Sequence, residues 1–217
     1  MDNNHLYHLY LIRHAKTEGN IARRYIGRTN EPLCAQGIAE LQAKIDAKVY
    51  PLVEYVFSSP MIRCDQTRGL IYPDAPFSIV EAFAEYNFGF FENKAYDELK
   101  DTPEYQCWLD SEGKGKIPGG ESADEFKARC LDGFTKVMAT IETAGIRHIA
   151  LIIHGGTIMA LLEAYSPESV DFYHWQVKNG EGYHLIIDPL SWNKTHKAQS
   201  VTKLGINEKS AVNTHEI

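Results

Sequence analysis

His148-Ile-Ala-Leu-Ile-Ile153, running straight into His154-Gly155-Gly156-Thr157, decides the fold. The run is apolar without the alternation of a half-wet strand, so it reads as a strand buried on both faces. The two glycines then turn the chain into a helix that ends near Tyr165, with Pro167 beyond. A buried strand feeding directly into a helix is the repeating unit of an α/β sheet.

The rest of the chain repeats that alternation. Leu6-Tyr-His-Leu-Tyr-Leu-Ile12 is a strand by its apolar and aromatic content, and it leads into Arg13-His14. Ile38, Leu41, Ile45 and Val49 recur at helical spacing, which predicts a helix from Gln36 to about Val49. Tyr55-Val-Phe57 is a short strand ending in Ser58-Ser59-Pro60, with Pro60 in the first turn of a helix reaching Ile71. Phe77–Val80 is a further strand, and 96–99 and 103–111 are short helices. Ser122 and Glu125 form a capping box for a long helix to about Thr143, stopped by Gly145. Phe126, Cys130, Phe134, Val137 and Ile141 mark its buried face. Phe172–Val177 and Tyr183–Ile187 read as a hairpin around Lys178–Gly182. The expected fold is therefore α/β, a three-layer αβα arrangement with a mixed, mostly parallel central sheet. Residues 1–217 are expected to form a single domain with its core over about 6–190. A polar extension follows from about 193: a surface strand, then a loosely held tail after about Asn207.

Composition limits what such a domain does. Of 217 residues, 44% are hydrophobic and 24% charged, as in ordinary globular proteins. No stretch nears the roughly 18 consecutive apolar residues of a membrane span. The 22 Lys+Arg against 29 Asp+Glu leave a net charge of −7, which argues against nucleic acid or an anionic membrane as partner. Any anion must therefore meet local positive charge. Cys34, Cys64, Cys107 and Cys130 match no zinc spacing, and no basic-then-apolar leader follows Met1. Reduced thiols in a cytoplasm are expected, and no cofactor or metal is expected. His5 and His8, at the start of the first strand, are taken as solvated. Nothing in the pattern reports the oligomeric state.

In open α/β sheets, ligands sit at the carboxyl ends of the strands. Three predicted strands end in reactive groups: Arg13-His14, Ser58-Ser59-Pro60 with Arg63 on the next turn, and His154-Gly155. Two arginines can neutralise a phosphate dianion and grip it bidentately. A glycine-started helix adds backbone N–H groups, here from Gly155. A neutral histidine beside them can act as base, clamp or nucleophile. A single histidine or arginine after a strand is usually structural or solvated; four converging groups are hard to reach by chance.

These residues resemble the histidine phosphatase superfamily, which includes cofactor-dependent phosphoglycerate mutases. Leu11-Ile-Arg-His-Ala-Lys-Thr-Glu-Gly-Asn20 is similar to its RHGxTxxN signature, with Ala15 where most members have Gly. Ser58-Ser-Pro-Met-Ile-Arg-Cys-Asp-Gln-Thr67 is similar to its SSPLxRxxQT segment, and Glu85-Tyr-Asn-Phe-Gly-Phe-Phe-Glu92 to ExxxGxxE. Pro118-Gly-Gly-Glu-Ser122 and His154-Gly-Gly156 complete the order. The resemblance spans about residues 6–190 and implies a phosphoglycerate mutase-like fold. It implies His14 as nucleophile through a phosphohistidine, with Arg13, Arg63, His154 and Asn20 holding the phosphoryl oxygens. It implies Glu85 as proton donor to the leaving alkoxide and then base for water. Phosphate-monoester hydrolysis is among the slowest uncatalysed reactions, accelerated up to about 10²¹-fold. Fixed cations facing the charge of the transferring phosphoryl are the main requirement.

Substrate is read from the remainder. The segment from Glu92 to Gly119 is short, and Lys94, Lys100, Lys114 and Lys116 are its only cations. That favours a hydrolase over a mutase, which must also hold a carboxylate. Arg24–Leu33, Phe88–Glu92 and Pro118–Ser122 look most like the α-ribazole phosphatase group of cobalamin assembly. Tyr25, Gly27 and Glu121 are candidates for the pocket. Phe83, Tyr86, Phe88, Phe90 and Phe91 either stack on a substrate ring or pack the core. A broad-specificity small-molecule or sugar phosphatase, a mutase, a phosphoprotein phosphatase and a non-catalytic phosphate-binding protein are the alternatives. The expected partner is a phosphorylated small molecule.

Overall fold

The computed structural model describes residues 5–205. Its centre is a six-stranded sheet in the order β3-β2-β4-β1-β5-β6. The strands are β1 (Tyr7–Arg13), β2 (Tyr55–Ser58), β3 (Phe77–Ile79), β4 (His148–Ile153), β5 (Gly182–Ile187) and β6 (Ser200–Lys203). Strands β3, β2, β4 and β1 pair in parallel, while β5 runs antiparallel to both β1 and β6. The sheet is thus mixed and mostly parallel.

Alternation along the central strands explains the layers. Leu9 and Leu11 of β1, with Ile149, Leu151 and Ile153 of β4, face one core. Tyr10 and Ile12, with Ala150 and Ile152, face the other. Both faces are apolar, so both need helical cover. The first core is closed by α6 (Ala123–Ala144) and α7 (Gly155–Tyr165). The second is closed by α3 (Ile62–Ile71), which carries the buried Cys64, with Tyr72 following it. The remaining helices are α1 (Glu18–Ile21), α2 (Ala35–Asp46), α4 (Tyr96–Leu99), α5 (Pro103–Asp110) and α8 (Pro189–Thr195).

Local chemistry sets the boundaries. Ser122 accepts from Glu125 N–H, Glu125 answers to Ser122 N–H, and Gly145 at φ 69° closes α6. α2 stops at Asp46 rather than near Val49, because Lys48 takes a left-handed φ of 54°. α3 starts at Ile62, after Met61 as its cap.

The expected hairpin is absent. Phe172–Trp175 is a 3-10 turn capped by Asp171, which sends Trp175 into the core beside α7. β5 takes β1 and β6 as its partners instead, and the Asn179-Gly180 turn serves the β1 end. α8, begun by Asp188 as cap and Pro189, was not expected; it buries Trp192. The polar stretch beyond it does supply an edge strand, β6. The expectation of a loose tail after Asn207 falls outside the described residues. His8 is not simply solvated either. It stacks on His148 at 4.7 Å between ring centroids and shares a hydrogen bond with His184 Nε2 at 3.0 Å.

Register is what positions the site. Arg13 pairs with Ile153 across β1 and β4, and Ser58 pairs with Ile152 across β2 and β4. The three adjacent parallel strands therefore end level. His14, Ser59 and His154 leave the sheet side by side.

Candidate active site

His14 and His154 stand edge to face, with ring centroids 5.1 Å apart. Both are buried. His14 Nδ1 lies 2.7 Å from Ala15 O, a carbonyl that only accepts, so Nδ1 carries the proton. The Nε2 lone pair is left bare. Burial, then the guanidinium groups of Arg63 and Arg13, hold His14 well below the usual imidazole range. His154 is pushed the same way by burial, Arg63, His14 and Arg13. At neutral pH both rings are uncharged, and the local positive charge comes from the two arginines.

Each arginine is pinned and each keeps an unused donor. Arg13 Nη1 donates to Val177 O at 2.7 Å. Arg63, fully buried, donates from Nη1 to Thr29 O and from Nη2 to Gly27 O, at 2.9 and 2.8 Å. The Nε–H groups of both are buried without a partner. An orphaned buried donor is costly, and two on adjacent guanidiniums beside a bare imidazole make a site that suits an oxyanion.

The sequence-expected residues gather here. Gly155 opens α7 against Arg13: a Cβ there would lie 3.4 Å from the guanidinium carbon. Glu85 closes the other side and accepts from Gly156 N–H at 3.2 Å and Tyr86 N–H at 2.9 Å. A Cβ on Gly156 would stand 2.6 Å from Glu85 Oε1 and 3.1 Å from Phe126 Cζ, so a side chain here would push the carboxylate out of place. Asn20 accepts on Oδ1 from Thr17 N–H and from Asn179 Nδ2, which turns its own amide N–H groups away from both.

The pocket candidates fare differently. Gly27 serves through its carbonyl on Arg63, and a side chain there would collide with Tyr86 O at 1.7 Å. Tyr25 is ringed by Phe88, Phe91, Tyr105 and Trp108, and its hydroxyl meets Tyr105 Oη at 2.7 Å. Glu121 is bound by Arg129 and by Asn87 N–H, with Arg28 at 3.6 Å. The aromatic cluster is mainly packing. Phe83 and Phe91 are fully buried, and Tyr86 lies between Phe88 and Phe126.

Four supporting residues were not singled out from the sequence. Ser59 Oγ meets His154 Nε2 at 2.7 Å. Thr67 accepts from Ala15 N–H and donates to Arg63 O, coupling the two arginine-bearing segments. Glu92 accepts from Gly27, Arg28, Thr29 and Phe88 N–H and from Thr29 Oγ1, so one carboxylate builds the loop that holds Arg63. Asn179 donates to His14 O and Asn20 Oδ1, and Gly180 N–H donates to Arg13 O. Ser59, Thr67 and Glu92 sit inside the quoted motifs. Asn179 carried no sequence signal beyond marking a turn.

An α/β sheet with two histidines and two arginines at the ends of three level strands defines a phosphoryl-handling enzyme. The chain belongs to the histidine phosphatase superfamily (branch 1), whose family model matches residues 9–199, and it is an enzyme of the phosphatase class. It is 26% identical over 171 residues to a broad-specificity phosphatase of Saccharomyces cerevisiae, covering 75% of this chain and 71% of that one. It is 30% identical over 173 residues to 2,3-bisphosphoglycerate-dependent phosphoglycerate mutase 2 of Gloeobacter violaceus, covering 75% and 78%. In fold it is similar to a putative alpha-ribazole-5'-P phosphatase from Escherichia coli, with a TM-score of 0.76 and 22% identity over 91% of this chain and 95% of that one. It is also similar to a phosphoglycerate mutase from Thermus thermophilus, at TM-score 0.63 and 26% identity over 92% and 99%. Among the described residues no helix is long and apolar enough to cross a membrane.

Proposed function

We propose that the protein hydrolyses small phosphomonoesters through a phosphohistidine at His14, with α-ribazole-5'-phosphate as the substrate to test first. The observation that carries the chemistry is the bare His14 Nε2 beside two arginines with orphaned Nε–H groups. In the first step Nε2 attacks phosphorus and the ester P–O bond breaks. Glu85 passes a proton to the leaving alkoxide. Water then attacks the phosphohistidine, Glu85 takes the water proton, the P–N bond breaks, and inorganic phosphate leaves. Arg13 and Arg63 bring two positive charges to a dianion, with Asn20, His154 and the α7 N-terminus adding donors. On this account the arginines do the work a metal ion would otherwise do.

The lysines of residues 92–119 and Arg28 weigh toward hydrolysis over mutase activity. Lys100, Lys114 and Lys116 are taken by Asp97, Glu112 and Glu125, and Lys94 donates to Phe90 O over the Phe90 ring. Arg28 lies against Glu121. Each of these already has a partner, which supports the hydrolase reading. The α-ribazole reading is supported by the three segments that resemble that group; the packed aromatic cluster lends it nothing. A single domain working in a reducing cytoplasm suits the four free cysteines.

The test is a metal-free assay with an aryl phosphate, α-ribazole-5'-phosphate and 3-phosphoglycerate primed with 2,3-bisphosphoglycerate. Preference for α-ribazole-5'-phosphate supports the full reading. Equal turnover of many esters keeps the chemistry and removes that substrate. Phosphoglycerate isomerisation outrunning hydrolysis overturns the hydrolase reading.

A further inference from the structure

We propose that Ser59 is a positioning residue that fixes His154 in its Nδ1–H form, so that a neutral histidine presents a donor to the phosphoryl group. This rests on the reading of His154 as a phosphoryl ligand. Ser59 and His154 are both fully buried, and Ser59 Oγ lies 2.7 Å from His154 Nε2. Neither distance nor burial alone says which atom donates; the part His154 plays does, because a lone pair on Nδ1 would repel phosphoryl oxygens. Met61 N–H already donates to Ser59 Oγ at 3.4 Å. That contact fills one of the two Oγ lone pairs, and the hydroxyl proton has the imidazole nitrogen as its nearest strong acceptor. The other neighbour, Cys64 Sγ, lies 3.5 Å from the same Nε2, and a thiol sulfur is a weak acceptor. With Nε2 accepting, a neutral ring carries its proton on Nδ1. The hydrogen-bonding contact of that nitrogen is Cys64 Sγ, at 3.9 Å.

The consequence is a division of labour between two rings in the same tautomer. His14 ties its Nδ1–H to Ala15 O and offers bare Nε2. His154 ties Nε2 to Ser59 and offers Nδ1–H. A phosphoryl group between them meets a nucleophile on one side and a donor on the other. Were His154 in the other tautomer, it would turn a lone pair toward phosphoryl oxygens and repel them.

The experiment is nitrogen NMR of ¹⁵N-histidine-labelled protein at neutral pH, with His154 assigned through His154→Gln. Proton–nitrogen correlations read each ring's tautomer in the free protein, without turnover. The expected result is His154 protonated on Nδ1 in the unsubstituted protein. In Ser59→Ala that preference is lost, and kcat falls about 100-fold with a smaller change in KM, the scale of losing one aimed donor. Ser59→Thr, which keeps the hydroxyl, restores the tautomer and most of kcat. His154 protonated on Nε2 in the unsubstituted protein overturns the proposal, even if Ser59→Ala fails to fold. An unchanged tautomer in a folded Ser59→Ala overturns it as well. An Nδ1–H ring that depends on Ser59, in a protein that hydrolyses no ester, supports the tautomer lock while defeating the proposed activity.

Discussion

Replacing Glu92 by Gln should damage both stability and catalysis, although Glu92 touches no reacting atom. Oε2 accepts from Gly27 N–H, Thr29 N–H and Thr29 Oγ1, and Oε1 from Arg28 N–H and Phe88 N–H. Whichever way a Gln amide turns, its NH₂ faces at least two N–H donors that then lose their acceptor. Hydrogen bonds to a charged acceptor contribute about 1.5–3 kcal/mol each. Half-burial screens them, so two losses come to about 2–3 kcal/mol in all. For a chain of this size that is a fall in Tm of roughly 5–10 °C. The loop also supplies the Thr29 and Gly27 carbonyls that aim Arg63. A misplacement of about 1 Å at such a group costs about 100-fold. Steady-state assays well below the lowered Tm should therefore show kcat/KM down by about 10- to 100-fold. A Gln variant that melts within about 1 °C of the parent and keeps full kcat/KM refutes this account of the loop.

Arg63→Lys should lower kcat/KM by at least about 100-fold, because an ammonium cannot hold both loop carbonyls and still present an N–H to phosphate; inorganic phosphate should also bind more weakly by calorimetry. Asn179→Asp sets a carboxylate against His14 O and Asn20 Oδ1, so KM should rise and kcat fall, with Asn179→Ala less severe; equal effects from the two would remove the charge argument. Stability should decline as the medium is acidified from about pH 6.5 toward 4.5. His14, His154 and His8 lie below the ordinary imidazole value in the native state, and His184 lies at about 4. Between those values and about 6.5 the unfolded chain binds more protons, so stability is fully present above that window and lost as pH falls through it. Thermal melts across the window that leave Tm flat would contradict these assignments.

The legible parts of the sequence were those where one local rule acts alone. The β4 run, the Ser122–Glu125 box and the Gly145 stop each specify their element without reference to the rest of the chain. The strand-end rule brought Arg13, His14, Arg63 and His154 to one place because three parallel strands happen to end in register. What stayed hidden depended on partners far away in sequence. Phe172–Val177 has the composition of a strand, but Trp175 is worth more in the core than in a ladder, and Asp171 caps a tight turn instead. Asn179 reads as a turn residue until β5 brings it against His14 O. The aromatic cluster read equally as a ring platform or as packing; Phe83 and Phe91 are buried in the core, while Phe90 stays exposed. Glu92 and Ser59 lie in motifs whose pattern is visible, while their work on a loop and on an imidazole is visible only in three dimensions.

The central claim is that His14 Nε2 takes the phosphoryl group. The direct measurement is rapid acid-free quenching of the enzyme mixed with ³²P-labelled substrate, followed by peptide mapping of the label. The account predicts an acid-labile, base-stable phosphoramidate on His14 that forms before inorganic phosphate is released and is absent in His14→Ala. Turnover persisting in His14→Ala, or label carried by a residue other than His14, would contradict it.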